Sequence, residues 1–316
     1  TNKLPKTLGI STEIEVTFGN IIIDKLMRAL IYDPYLDTLG GGERYVLTFA
    51  QTLLREGWDA SIIWNNYDIL QKASEKFSLL INNLTVVDPS ILNEKFFNKW
   101  SGLKGFDLLF WVSDGSLPMI LGPKRTWVHF QVPFLNVNGR SISNQTKLKM
   151  INKLVCNSRF TAEVIQGEFG RECDVLYPPI DVDKFTPGTK TNTILYVGRF
   201  SQLLQDKGHA ELIAAFKTFL SASSNNYRLI LAGSTENSDN SYLEWLKNEA
   251  QGYPIEIITN PSFSQLKSLY AESKLFWSLA GINADENEHP EKCEHFGMTV
   301  VEAMAAGCIP ILLNKG

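Results

Sequence analysis

Two rhythms of apolar residues alternate along most of this chain. Short continuous apolar runs recur, Leu108–Val112 being the clearest, and between them apolar residues fall three and four apart. An unbroken run is expected where a strand is buried on both faces, as parallel strands covered by helices are. The runs predict strands over 28–32, 59–64, 84–87, 107–112, 126–130, 153–156 and 173–176. Over 43–55, Val46, Phe49, Ala50, Leu53 and Leu54 share one helical face and Gly57 closes the helix. Over 158–169, Ser158 is a suitable N-cap, and Phe160, Val164, Ile165 and Phe169 form the buried stripe.

The rhythm breaks at Tyr177–Gly188, where Pro178, Pro179, Pro187 and Gly188 make linker chemistry. It then resumes, with strands predicted near 193–197, 228–232, 255–258, 274–279 and 309–313 and helices near 209–221, 241–250, 262–272 and 298–306. The expected organisation is a first βα-repeating domain over 27–177, a linker over 178–192, and a second such domain over 193–316. Residues 1–26 are an extension of unknown role, in which Ile14, Val16 and Phe18 alternate like a strand. Right-handed crossovers would wind each domain around a parallel sheet, and ligands of such sheets bind beyond the carboxyl ends of the strands. The default site is therefore a cleft between the two domains. Because the chain opens on Thr1 and stops at Gly316 just after an apolar strand, the expectation is a fragment whose second domain is truncated.

Composition narrows the function classes. A chain of 316 residues has room for two α/β domains. The net charge of −4 gives no basic field, which argues against a nucleic-acid partner. Cys156, Cys173, Cys293 and Cys308 form no C-x-x-C pair or zinc spacing, and three of them have mainly apolar or small neighbours, as expected for buried thiols in a reducing compartment. No apolar run reaches membrane-spanning length and no signal peptide opens the chain, so a cytoplasmic location is expected.

Three phrases carry candidate chemistry. Gly40, Gly41 and Gly42, followed by Glu43 and Arg44, lie between the first strand and first helix. They let a ligand approach backbone N–H groups at a helix start, and the plainer alternative is a flexible turn. Gly198 and Arg199 directly follow a strand, with Lys207 and Gly208 shortly after. A planar guanidinium and a point ammonium suit a diphosphate, against the alternative of two surface cations. The third phrase runs from Glu294 through Phe296, Gly297 and Met298 to Glu302 and Gly307. A helix starting near Gly297 would offer the N–H groups of Gly297, Met298 and Thr299 to an anion. It would also set two carboxylates, which suit sugar hydroxyls, at and one turn inside its start. Val300, Val301, Met304 and Ala305 then form its core face. The alternative is a charged loop followed by an exposed helix glutamate.

The order and content of these phrases resemble the family-4 glycosyltransferases of GT-B fold. The resemblance rests on E-x7-E with its flanks (294–311), on 198–208, on 178–185 and on 40–44, and it covers about 27–316. The stretches 40–46 and 127–134 also resemble eukaryotic lipid-linked-oligosaccharide mannosyltransferases. The resemblance implies two facing Rossmann-like domains and a retaining hexosyl transfer from a UDP- or GDP-sugar to a sugar, lipid or other acceptor. It implies that Arg199 and Lys207 bind the donor diphosphate, with Gly41 and Gly42 near it. Glu294, Phe296, Gly297 and Met298 would meet the transferred sugar and Glu302 the ribose. His129, at the end of the strand 126–130, would face the cleft near the reacting centre, making Glu294 and His129 the catalytic pair. No metal or other cofactor is expected, since Asp181 and Asp183 lie in the linker and GT-B enzymes do not depend on such a motif. The acidic stretch 285–291 reads as a solvated loop, and the seven tryptophans as dispersed, mostly core residues. Lys124, Arg125, Lys147, Lys149 and Lys153 read as plain surface, with anionic lipid as their alternative partner if the acceptor is membrane-bound. The rival functions are a nucleotide-sugar epimerase of the same architecture and a non-catalytic nucleotide-sugar-binding fragment. The oligomeric state is left open.

Overall fold

The computed structural model describes residues 17–18, 21–22, 26–201, 206–222, 226–235 and 240–316. Most of the 1–26 extension, including Ile14 and Val16, lies outside the described residues. Within it, β1 (Thr17–Phe18) pairs antiparallel with β2 (Ile21–Ile22). Two compact units emerge. The first takes in the chain through Tyr32, Leu47–Leu109 and Leu121–Arg125, and the second Asp33–Val46, Phe110–Ile120 and Thr126–Gly316.

In the first unit, β3 (Arg28–Tyr32), β4 (Asp59–Ile63) and β5 (Thr85–Val87) are parallel, in register from Arg28↔Asp59 to Tyr32↔Ile63. The order is β5-β4-β3, continued by the start of β6 (Leu108–Val112). Ala29, Leu30, Ile31, Ala60 and Ile62 are fully enclosed, which is why these strands read as unbroken apolar runs. α2 (Asp68–Phe77) and α3 (Phe96–Leu103) belong to this unit, as does the body of α1 (Gly41–Arg55). Lys124 pairs with the buried carboxylate of Asp107 at 2.5 Å, so it has a protein partner.

The second unit holds the rest of β6, then β7 (Thr126–Phe130), β8 (Lys153–Cys156) and β9 (Cys173–Val175), in the order β6-β7-β8-β9. α4 (Ile142–Leu148) and α5 (Arg159–Phe169) connect them. Ser158 caps α5 by accepting the Thr161 N–H at 3.1 Å, and Gly170, at φ 67°, ends it. Lys153 pairs with Asp174 at 2.6 Å.

A separate five-stranded parallel sheet follows: β10 (Thr191–Val197), β11 (Arg228–Gly233), β12 (Ile255–Thr259), β13 (Ser273–Ser278) and β14 (Ile309–Leu312). Successive residues point to opposite faces. Ile194, Tyr196, Leu229 and Leu231 pack on one side, with Leu212 and Phe216 of α6 (His209–Ala222) and Leu246 of α7 (Asn240–Ala250). Leu195, Val197, Ile230 and Ala232 pack on the other, with Tyr270 of α8 (Phe263–Glu272) and Ala303 of α9 (Met298–Ala305). The order β12-β11-β10-β13-β14 reverses between β10 and β13. That switch point is where such sheets bind ligands, beyond the strand ends.

The proline-rich segment is pinned to this sheet's helices. Phe185 meets Phe263 and Tyr270 edge-on, at 5.8 and 5.6 Å. Lys190 donates to the carbonyls of Tyr270 (3.1 Å) and Ala306 (2.6 Å). Two expectations are corrected. Met304 is 56% exposed, because α9 turns Glu302, Ala303 and Ala306 inward instead. Trp100 and Trp245 are 43% and 45% exposed and lie outside the core. All four cysteines are buried thiols, none of them in a disulfide. Among the described residues, no helix is long and apolar enough to cross a membrane, and no three His, Cys, Asp or Glu side chains are grouped to hold a metal.

Candidate active site

The second unit assembles the candidate residues around the carboxyl ends of β10 and β13. Gly198 and Gly233 allow the ends of β10 and β11 to close up. A Cβ on Gly233 would strike the Gly198 carbonyl oxygen, and one on Gly198 would strike the Tyr196 hydroxyl. The Gly198 N–H donates to Ala232 O at 3.0 Å. Arg199 leaves this tight corner exposed to solvent.

Lys207 and Glu294, 87 positions apart, form an ion pair with Nζ 3.3 Å from Oε2. The other oxygen, Oε1, accepts the Gly297 N–H at 3.1 Å. Gly297 sits at φ 77°, in the left-handed region that glycine tolerates, and caps α9. Burial pushes the Glu294 carboxyl up. Lys207, His295 and the Gly297 N–H outweigh it, and the net direction is down, so Glu294 is an anion at neutral pH. The Gly297 N–H, expected to face a ligand, is thus spent on Glu294. The N–H groups of Met298 and Thr299 remain as the first-turn donors, which have no partner within a helix. The Phe296 ring lies 5.7 Å from that of Tyr177. Together with Arg159, Ser278, Glu294 and His295, these two rings border a cavity of about 330 Å³.

Glu302 is buried, one turn inside α9, and was expected either to hold ribose or to lie exposed. Its Oε1 is 2.7 Å from Arg44 Nη1, and its Oε2 accepts the Tyr270 hydroxyl at 3.0 Å. The starts of α1 and α9 are adjacent, since a Cβ on Gly41 would lie 3.4 Å from Met298 Sδ. Glu43 turns back on its own loop and accepts from the Gly40 N–H (2.5 Å) and the Thr38 hydroxyl (2.7 Å). At Gly42 the close approach comes from protein: Gln131 fills the space of a Cβ, and its Nε2 donates to Gly42 O at 3.1 Å.

His129 does not face an open cleft. Every residue of β7 is buried, so the ring is enclosed on its strand, stacked on Tyr45 at 4.6 Å and tilted against Phe110 at 5.1 Å. Nδ1 lies 3.2 Å from Val155 O, and Nε2 has no partner among the described residues. Burial pushes its pKa down to about 3, so the imidazole is neutral.

Glu294, Lys207, Gly297 and Met298 are therefore brought together, and Gly41 and Glu302 join them along α1 and α9. Arg199 stands at the neighbouring strand end, within electrostatic reach of the same Tyr196 hydroxyl that feels Glu294. Sequence reasoning missed Arg44, Tyr270 and Gln131. Arg44 was read only as a letter of its motif, and nothing local marks Tyr270 or Gln131 as partners of residues so far away in the chain.

Comparison with known proteins follows these elements. Residues 179–316 match the family model described as "Glycosyl transferases group 1". The chain is 31% identical over 337 aligned positions to the GDP-Man:Man(3)GlcNAc(2)-PP-Dol alpha-1,2-mannosyltransferase of Kluyveromyces lactis, covering 93% of this chain and 53% of that protein. It is 31% identical over 181 positions to the protein of the same description from Candida glabrata, covering 52% of this chain and 33% of that one. The chain thus spans about half, or less, of these curated relatives. The crystal structure of Anabaena Alr3699/HepE in complex with UDP and glucose superposes with a TM-score of 0.62 at 15% identity, covering 92% of this chain and 81% of that one. With two parallel α/β sheets and such structural neighbours, the chain has the GT-B fold, and it is similar to glycosyltransferases along nearly its whole length.

Proposed function

We propose that this chain transfers a hexosyl group, with retention of anomeric configuration, from a nucleotide diphosphate sugar to a lipid-linked glycan. GDP-mannose is the favoured donor. The observation that carries the reading is the Lys207–Glu294–Gly297 arrangement at the start of α9, beside the switch point of the second sheet. The mannosyltransferase descriptions of the relatives support the choice of donor and acceptor.

In this reading Arg199 and Lys207 neutralise the diphosphate. The starts of α1 and α9, at Gly41, Gly42 and Met298, add the partial positive charge of helix N-termini. Glu294, with the backbone at Phe296–Met298, holds the sugar hydroxyls, and Glu302 holds the ribose. The acceptor oxygen bonds to the anomeric carbon on the face from which the diphosphate leaves. The carbon–oxygen bond to phosphate breaks, and the acceptor proton passes to the departing phosphate oxygen. Such a step asks for fixed charge and alignment more than for a separate base. His129 has no direct part in the step, because its ring is enclosed by Tyr45 and Phe110 and, titrating near 3, is neutral and cannot serve as an acid at neutral pH. The cations and helix starts meet the charge demand that a metal meets elsewhere. The work would be done on the cytoplasmic side of a membrane, in peripheral contact with it.

Calorimetric titration with GDP, UDP and their mannose and glucose conjugates tests the reading. Micromolar binding confined to the guanosine series is the expected result. Binding confined to the uridine series would overturn the donor assignment, and no binding of any of them would overturn the nucleotide-sugar reading itself.

A further inference from the structure

The Arg44–Glu302–Tyr270 triad is not what stability alone would select. Glu302 is 6% exposed and sits on a helix whose inward face otherwise presents Ala303 and Ala306. A carboxylate moved there from water needs strong partners, and an apolar side chain of similar volume often serves a core as well or better. The partners come from two other elements: Arg44 from the first turns of α1 and Tyr270 from α8. A carboxylate has about four lone-pair sites. Arg44 and Tyr270 take one on each oxygen, which leaves two for a further pair of donors. A vicinal diol supplies two such donors.

The location suits that use. Arg44 is the fourth residue of α1 and Glu302 the fifth of α9, and the two helices start side by side at Gly41 and Met298. The triad therefore lies about one turn below the point proposed for the diphosphate. That is the depth at which the pentose attached to it would reach.

We propose that Arg44 and Tyr270 are positioning residues for ribose recognition: one on each oxygen, they fix the Glu302 carboxylate so that its free lone pairs receive the 2′- and 3′-hydroxyls of the donor nucleotide. The inference rests on the reading of Glu302 as the ribose carboxylate. It adds that the Arg of the glycine-rich phrase, in a different part of the chain, sets the sugar selectivity of the nucleotide.

The test measures the affinities of GDP and 3′-deoxy-GDP, and their ratio, in the wild type and in Glu302→Ala, Tyr270→Phe, Arg44→Met and Arg44→Lys, with thermal melting as the check on folding. The wild type should prefer GDP by about tenfold or more, the worth of one charge-assisted hydrogen bond. Glu302→Ala should bring the ratio to about one. Tyr270→Phe and Arg44→Met should narrow it to roughly threefold by weakening GDP while leaving 3′-deoxy-GDP nearly unchanged, and Arg44→Lys should recover part of it. A purely structural clip would weaken both nucleotides together and leave the ratio where it was. If Glu302→Ala leaves the ratio intact, the ribose reading fails and this inference with it. If Glu302→Ala abolishes the ratio while Tyr270→Phe and Arg44→Met keep the wild-type value, the ribose reading stands and the positioning role is overturned.

Discussion

Glu294 stands where two demands meet. In the proposed reading it must remain an anion to hold sugar hydroxyls, and it must remain ordered in the loop that leads into α9. Lys207 meets the first demand through charge and the Gly297 N–H meets the second through geometry. Glu294→Ala should lower kcat by at least about a hundredfold, the scale on which losing a fixed electrostatic contact acts. The melting temperature should stay within a few degrees, because the removed side chain is only partly buried. Turnover at the wild-type rate would remove Glu294 from the chemistry. At this scale the sequence was informative about which residues carry charge and much less about what they touch. The seven-residue spacing placed Glu294 before the helix and Glu302 inside it. The burial of Glu302 depends on α8 and α1, and no local pattern encodes that. His129 shows the same limit: its position at a strand's carboxyl end was legible, and its enclosure by Tyr45 and Phe110 was not.

At the scale of elements the apolar runs were a good guide, since a strand covered on both faces cannot hide its composition. β3, β7 and β8 fall where the runs predicted them, and the other predicted strands differ by a residue or two at their ends. α2, α3 and α4 are short, with 10, 8 and 7 residues, and no individual prediction was made for them. The face of α9 was misjudged because Val301 and Met304 were weighted by hydrophobicity. The packing around β10 and α8 instead favours the small Ala303 and Ala306. Lys190 shows how the linker contributes: its ammonium joins carbonyls near the C-terminal ends of α8 and α9, which are left without helical partners. Lys190→Ala should cost about 1–3 kcal/mol of unfolding free energy, as charged hydrogen bonds do. Denaturant titration would show it as a lower midpoint at unchanged slope. No change in midpoint would reduce Lys190 to a surface cation.

Across the molecule, three buried groups tie stability to pH in opposite senses. His129 and His209 are pushed by burial from 6.5 down to about 3. The stability each contributes is fully present above about pH 6.5 and is lost as pH falls toward 3. Asp33 is pushed from 3.8 up to about 7 by burial and then by the charge of Glu43. Its contribution is fully present below about pH 3.8 and is lost as pH rises through 7. Two imidazoles outweigh one carboxyl, so acidification from pH 6.5 to 4 should destabilise the wild type. Asp33→Asn cannot ionise and should gain melting temperature over the wild type as pH rises from 4 to 7, with the difference level above that. A difference that does not vary with pH would show that Asp33 titrates normally.

The corner at Gly198 has a practical consequence. The Tyr196 hydroxyl is packed against that glycine, out of solvent, and it lies in the fields of Glu294, Asp206 and Arg199. A probe there would respond to charge rather than to contact. A fluorine placed ortho to this one phenol among the ten tyrosines would shift its resonance when a dianion settles near Arg199 and Lys207. Donor capture could then be watched by spectroscopy before an acceptor is identified.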